Sequence, residues 1–258
     1  MTRILAIAGR KQAGKSTLCN FLHGYQLRCF NVIKDFVLTE EGDLYVDTGD
    51  ETQLTKLDVS RKDIEFVQWA SYHMYPFIKK YSFASELKDM CVNLFNIPYE
   101  CAYGTEEQKN TKIKHLKWQN MPESKRKGVM TAREFMQYLG TDVMRKIYEP
   151  VWAESCVRKI QREQPLLAVI DDLRFENELK EVQKVDGKVV GLTRNILQDS
   201  HSSESLDGVL ENADSVIDNS DMSIKGVNNE IVSILSGFNW LGEEIVAEKK
   251  SKLHEIKG

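Results

Sequence analysis

Apolar residues recur along the chain in two rhythms. Ile4-Leu5-Ala6-Ile7-Ala8, Leu166-Leu167-Ala168-Val169-Ile170 and Lys188-Val189-Val190-Gly191-Leu192-Thr193 are short, nearly continuous apolar runs. Runs of this kind suit strands buried on both faces of a parallel sheet. Ser215 to Asp218 predicts a last short strand, and Tyr81-Ser82-Phe83 another. Helical spacing occupies the stretches between: from the first strand to about Leu27, Asp63 to Tyr75, Ala84 to Cys91, Thr131 to Tyr148, Val151 to about Glu163, Phe175 to Lys184 and Met222 to Ser236. Leu87, Met90, Cys91 and Leu94 would share one helix face. Thr131 with Glu134 three residues on is a capping box, and Pro150 and Pro165 punctuate the helices around them. Strand and helix alternate, so the pattern predicts an α/β fold with a parallel sheet and right-handed crossovers. Two stretches break the alternation. Val32 to Val37 and Leu44-Tyr45-Val46 flank the turn signal Thr39 to Asp43, which predicts a hairpin, with a polar loop over 47–62. Residues 104–130 are rich in Lys, Asn, Gln and Glu, the texture of a mobile charged segment such as a lid or substrate loop.

Between the first strand and the first helix stands Gly9-Arg10-Lys11-Gln12-Ala13-Gly14-Lys15-Ser16, an unbroken G-x-x-x-x-G-K-[ST] string followed by Thr17. Glycines let backbone N–H groups turn around an anion, and the helix N-terminus adds positive charge. Lys15 would then reach the outer phosphates of a nucleoside triphosphate, and the Ser16 hydroxyl would ligate Mg²⁺. Ligands of such sheets sit at the carboxyl ends of the strands. That rule selects Asp171 and Asp172, one of them as metal organiser, without separating their roles. Arg174, two residues on, suits a phosphate bidentately. Arg133, Gln137 and Tyr138 fall on neighbouring turns of one helix, with Gly140 in mid-pattern, where close approach of a ligand would account for a glycine that costs about 1 kcal/mol against alanine. Taken singly, Lys88, Arg133 and Arg145 read as solvated charges. His201 and Glu204 read first as a local hydrogen bond or cap, and second as catalytic assistants.

The 258 residues allow one large domain with an insertion. With 29% charged residues and a net charge of −4, the chain lacks the basic signature of nucleic-acid binding. Five cysteines without a C-x-x-C pair favour neither a zinc site nor a disulfide framework. No apolar stretch approaches membrane-spanning length, and the expectation is a cytoplasmic protein.

Several blocks together resemble the bacteriophage deoxynucleoside monophosphate kinases, typified by the enzyme of T-even phages. They are Ile7 to Ser16, Tyr81 to Lys88, Arg133 to Asp142 with Trp152, and Asp172 to Glu178. The Arg133–Asp142 block is the most specific, being unrelated to phosphate-loop requirements. The resemblance covers residues 1 to about 220, with 30–75 as an insertion relative to the T-even enzyme. It implies a P-loop kinase fold of the nucleoside-monophosphate-kinase kind: a three-layer core, an inserted hairpin and a lid over 104–130, all in a single domain. It implies ATP as donor, Mg²⁺, a deoxynucleoside monophosphate as acceptor and, for a phage-encoded protein, the host cytoplasm. A homodimer is compatible with it, and no nucleic-acid or membrane partner is implied. Gly9, Lys11, Gln12, Ala13, Gly14, Lys15, Ser16 and Thr17 would hold the donor, with Ser16 and Asp171 on the metal. Leu87, Lys88, Arg133, Gln137, Gly140, Thr141, Trp152, Asp172, Arg174, Phe175 and Glu178 would meet the acceptor. Lys15, Arg133 and Arg174 would be catalytic, and Arg194 is a weaker candidate. Another small-molecule P-loop kinase, for a nucleoside or dephospho-coenzyme A, and a DNA-handling or switch ATPase are the competing readings.

Overall fold

The computed structural model describes residues 2–49, 53–194 and 203–241, the last from Ser203 with backbone only up to residue 205. The chain divides into two compact units, residues 1–82 with 158–258, and residues 83–157.

The first unit is built on a five-stranded parallel sheet. Its strands are β1 (Arg3–Gly9), β5 (Ile78–Tyr81), β8 (Leu167–Leu173), β9 (Lys188–Leu192) and β10 (Ser215–Ile217), ordered β10-β9-β1-β8-β5. The apolar runs of β1, β8 and β9 are buried almost throughout, as strands covered on both faces must be. Four helices flank the sheet: α1 (Lys15–Cys29) packs with α10 (Ile224–Gly237), and α8 (Glu176–Gln183) with α9 (Ser203–Glu211). Leu5, Ile7, Leu18, Ile78, Val169, Val190, Leu192 and Ile231 belong to the core between sheet, α1 and α10. The expected hairpin is present as β2 (Asp35–Leu38) and β3 (Leu44–Asp47). A third strand, β4 (Thr55–Lys56), extends it within the stretch expected to be loop. Leu44 and Val46 sink into the unit's core, so the hairpin is anchored. Asp63 accepts from the Phe66 N–H and caps α2 (Ile64–His73).

One expectation about strands needs correction. The strand expected over Tyr81–Phe83 ends at Tyr81. Asp171 and Asp172 stand at the carboxyl end of β8, just before its last residue, at a register break. Ala6 faces Ile170 and Ala8 faces Leu173, so β8 carries one residue more than β1 there. This bulge interrupts the buried pattern and leaves both aspartates partly exposed.

The second unit comprises α3 (Ser85–Phe95), α4 (Tyr99–Tyr103), α5 (Glu106–Lys109), the antiparallel pair β6 (Lys112–Lys117) and β7 (Val129–Thr131), and α6 (Ala132–Gln137). The stretch expected to be a loop over 104–130 therefore holds a helix and two strands. Ile113, Leu116 and Trp118 from it join Cys91, Met130 and Phe135 in the unit's core. Leu94 is 72% exposed and does not share the apolar face expected of α3. Thr131 and Glu134 form the anticipated capping box. The helix is not regular to Tyr148: after Gln137 it widens into a π-helix over Tyr138–Arg145. α7 (Val151–Glu163) follows, with the division between units falling inside it.

Candidate active site

In the first unit, the loop between β1 and α1 is shaped by left-handed backbone at Gln12 (φ 64°) and Gly14 (φ 93°), the latter capping α1. Gly9 closes on β9, since a Cβ there would lie 2.9 Å from the Leu192 carbonyl oxygen. No side chain caps the N-terminus of α1 and no acidic residue occupies its first turn. Its leading N–H groups are thus left for an anion. The loop curls around Lys15, which is 8% exposed; its Nζ donates to the carbonyls of Gly9 (2.7 Å) and Arg10 (2.6 Å). Burial, then the neighbouring Arg174 charge, lower the Lys15 pKa to about 8 against the opposing pull of Asp171 and Asp172. Lys15, Arg174 and both aspartates therefore share one electrostatic neighbourhood.

The two aspartates are differently held. Asp171 Oδ2 meets Lys80 Nζ of β5 at 2.8 Å, and Lys80 also donates to Ser60 Oγ at 3.1 Å. Burial, the largest single influence, works against the Lys80 charge, but Asp171, Cys19 and Asp172 together outweigh it and the pKa is raised. Asp172 Oδ2 accepts from Ser82 Oγ at 2.6 Å. Arg174 is exposed, whereas Glu178 is 3% exposed and accepts from the backbone N–H groups of Arg174 (2.9 Å) and Phe175 (3.1 Å). Glu178 spends its carboxylate on capping α8 and fixing the turn that carries Arg174; Phe175 is 39% exposed.

A cleft of about 350 Å³ opens over this loop. Gln12, Gly14 to Leu18 and Arg194 are among its lining residues. Lys11 is exposed and Ala13 buried, and neither is among the lining residues. The remaining walls were not singled out beforehand: Glu40 and Glu41 from the hairpin, Asn219 after β10, and Met222, Ile224, Val227 and Asn228 around the start of α10. The carboxyl-end rule that selected Asp171 would have selected Asn219 too, had it been applied to the last strand.

In the second unit, Arg133 Nη2 pairs with Glu106 Oε2 at 2.7 Å. Lys88 Nζ stands 5.1 Å from the centre of the Tyr103 ring. At Gly140 a Cβ would lie 2.7 Å from Leu87 Cδ2, so the glycine lets that side chain pack closely. Its carbonyl, inside the π-helix, accepts from Trp152 Nε1 at 3.1 Å. Leu87, Gly140 and Trp152 are thus brought together as packing partners, with Trp152 5% exposed. Gln137 and Thr141 are exposed. His201 and the side chain of Glu204 lie outside the described residues.

For a metal, the available groups are hard oxygens: the exposed Ser16 hydroxyl and the two aspartates of the bulge. They suit Mg²⁺, which is commonly held by one or two carboxylates together with substrate phosphates. Asp171 has one oxygen engaged by Lys80. No group of three or more His, Cys, Asp or Glu side chains with metal-binding geometry occurs among the described residues, and no described helix is long and apolar enough to cross a membrane.

Comparison with known proteins gives two findings. The model of a family described as deoxynucleotide monophosphate kinase matches residues 3–231. A protein of Acanthamoeba polyphaga mimivirus named "Putative deoxynucleotide monophosphate kinase" is 31% identical over 142 residues, covering 50% of this chain and 67% of that protein.

Proposed function

The chain belongs to the deoxynucleotide monophosphate kinase family, and from that premise we propose that it transfers the γ-phosphoryl group of ATP to the 5′-phosphate of a deoxynucleoside monophosphate, with Mg²⁺, giving ADP and a deoxynucleoside diphosphate. The observation that carries this reading is Lys15, buried within a glycine-bearing loop, beside Arg174, at the uncapped start of α1.

An acceptor phosphate oxygen attacks the γ-phosphorus. The new O–P bond forms as the bond to the β–γ bridging oxygen breaks, and that oxygen leaves with ADP. Such a reaction asks for alignment and neutralised charge rather than a strong base. The leading N–H groups of α1 hold the outer phosphates. Lys15 exchanges its two carbonyl partners for phosphate oxygens, and Arg174 adds a second positive charge. Ser16 and Asp171 would hold Mg²⁺, which when bound would offset the negative charge of the phosphates. In this reading Asp172 meets the acceptor with Arg174; Lys88, Arg133, Gln137 and Thr141 are acceptor residues by the family resemblance alone. Arg133 must trade Glu106 for the acceptor phosphate. Leu87, Gly140 and Trp152 support these residues through packing. The segment 104–130 serves as the closing element that excludes water.

Incubation of the protein with ATP, Mg²⁺ and each of the deoxy- and ribonucleoside monophosphates tests the assignment. Turnover with at least one deoxynucleoside monophosphate, abolished in Lys15→Ala, is expected; no turnover with any of them overturns it.

A further inference from the structure

The tip of the β2–β3 hairpin is fixed against the phosphate-binding loop. Thr39 and Asp43 close the tip, with Thr39 N–H donating to the Asp43 carbonyl (3.0 Å) and Asp43 N–H to Thr39 Oγ1 (3.2 Å). Gly42 between them has φ 85° and sits so close to α1 that a Cβ would fall 2.1 Å from Thr17 Oγ1. Its carbonyl accepts from Asn20 Nδ2 at 2.9 Å. Thr17 immediately follows the phosphate-loop Ser16. The hairpin is thereby pinned to the first turns of α1, and two exposed carboxylates, Glu40 and Glu41, stand in the wall of the same cleft as Gly14 to Leu18.

Ionised carboxylates only accept hydrogen bonds, and beside a polyphosphate they repel. Their fitting partners on a nucleotide are uncharged donors. Passing from the phosphates toward the base, the first such donors are the ribose hydroxyls. The rest of the lining suits the remainder of a nucleoside: Met222, Ile224 and Val227 are apolar, and Asn219 and Asn228 bring amides. Asn219 is an independent sign of a ligand. It is 3% exposed, its Nδ2 is satisfied by the Ala13 carbonyl, and its Oδ1 has no partner. A buried acceptor left unpaired is costly unless something supplies the donor.

We propose that Glu40 and Glu41, carried by the inserted hairpin, accept hydrogen bonds from the ribose hydroxyls of the donor nucleotide, making the hairpin the element that selects a ribonucleoside triphosphate as donor. This rests on reading the cleft as the donor site. It divides the labour over sugars: a family acting on deoxynucleotides as acceptors here takes its phosphoryl group from a ribonucleotide.

Calorimetric titration with ATP, 2′-deoxy-ATP and 2′,3′-dideoxy-ATP, each with Mg²⁺, tests it on the wild-type chain, on Glu40→Ala/Glu41→Ala and on Lys15→Ala. The wild-type chain should bind ATP about tenfold or more tightly than 2′-deoxy-ATP, and by at least as much over the dideoxy analogue, the scale of a charge-assisted hydrogen bond. In the double variant that ratio should collapse toward unity, whatever happens to the absolute affinities. Equal affinity of the wild-type chain for ATP and 2′-deoxy-ATP, or an unchanged ratio in the double variant, overturns the proposal. The first of these comparisons needs no variant. Retention of full ATP binding by Lys15→Ala would instead defeat the donor-site reading itself, so the two failures are told apart.

Discussion

Asn219 donates its Nδ2–H to the carbonyl oxygen of Ala13 at 2.9 Å, joining the loop after the last strand to the loop after the first across 206 positions of sequence. The bond is buried, and it steadies the crest of the loop between β1 and α1, between the two left-handed residues Gln12 and Gly14. Asn219→Ala should weaken ATP binding by about three- to tenfold, since a net hydrogen bond is worth about 1 kcal/mol. Calorimetry measures the affinity, and a thermal melt separates loop loosening from global unfolding.

Lys15 should make nucleotide binding depend on pH. Its pKa in the unliganded chain is lowered to about 8, chiefly by burial and then by Arg174. The protonated form grips phosphate. Below that value the lysine is already charged and affinity is level; above it, each step in pH leaves a smaller charged fraction and affinity falls. Because phosphate stabilises the ammonium, binding at pH 8 should also take up a fraction of a proton. Titrations in buffers of different ionisation enthalpy measure that uptake, and Lys15→Met should remove it.

Lys80 and Asp171 form a largely buried pair, with side-chain exposures of 21% and 10%. Lys80→Met would strand the carboxylate and should cost about 2–4 kcal/mol in urea unfolding. Adding Asp171→Asn should recover much of that loss, because the charge left behind, rather than the missing attraction, sets the penalty.

Gly140→Ala pits helix propensity against space. Alanine gains about 1 kcal/mol in a helix interior, but its methyl would lie 2.7 Å from Leu87 Cδ2. A net destabilisation of about 1–2 kcal/mol is expected, in the range of overpacked cores. The double variant with Leu87→Ala should show a favourable coupling, readable in a double-mutant cycle.

The features legible in the sequence are those whose causes are local. The glycine string with its apolar strand before and helix after, the Thr131–Glu134 box and the helix from Val151 to Glu163 all stand where their neighbours in sequence put them. What escaped depends on partners brought in from afar. Asn219 meets the loop because β10, β9 and β1 are successive strands. Lys80 finds Asp171 only through β5 lying beside β8. The bulge at Asp171 and Asp172 is a mismatch between two strands, invisible in either alone. The π-helix likewise departs from the periodic pattern where the Gly140 carbonyl accepts from Trp152. Glu40 and Glu41 read as turn residues, since only the Gly42–Thr17 contact reveals what the turn rests on.

The interleaving of the two units has a consequence for the order of assembly. β1 draws its hydrogen bonds from β8 and β9, so the central strand of the sheet must wait for residues beyond 167. The unit over residues 83–157 is continuous in sequence and has its own core, and all of it leaves the ribosome before the residues of β8 do. Synthesis thus favours a pathway in which the later segment condenses first and the parallel sheet closes last, around long-range pairings that form slowly. Lesions in the Ile113–Phe135 core should therefore surface early, as failures of the nascent chain, and lesions in β9 late, as full-length protein that never gains a nucleotide site.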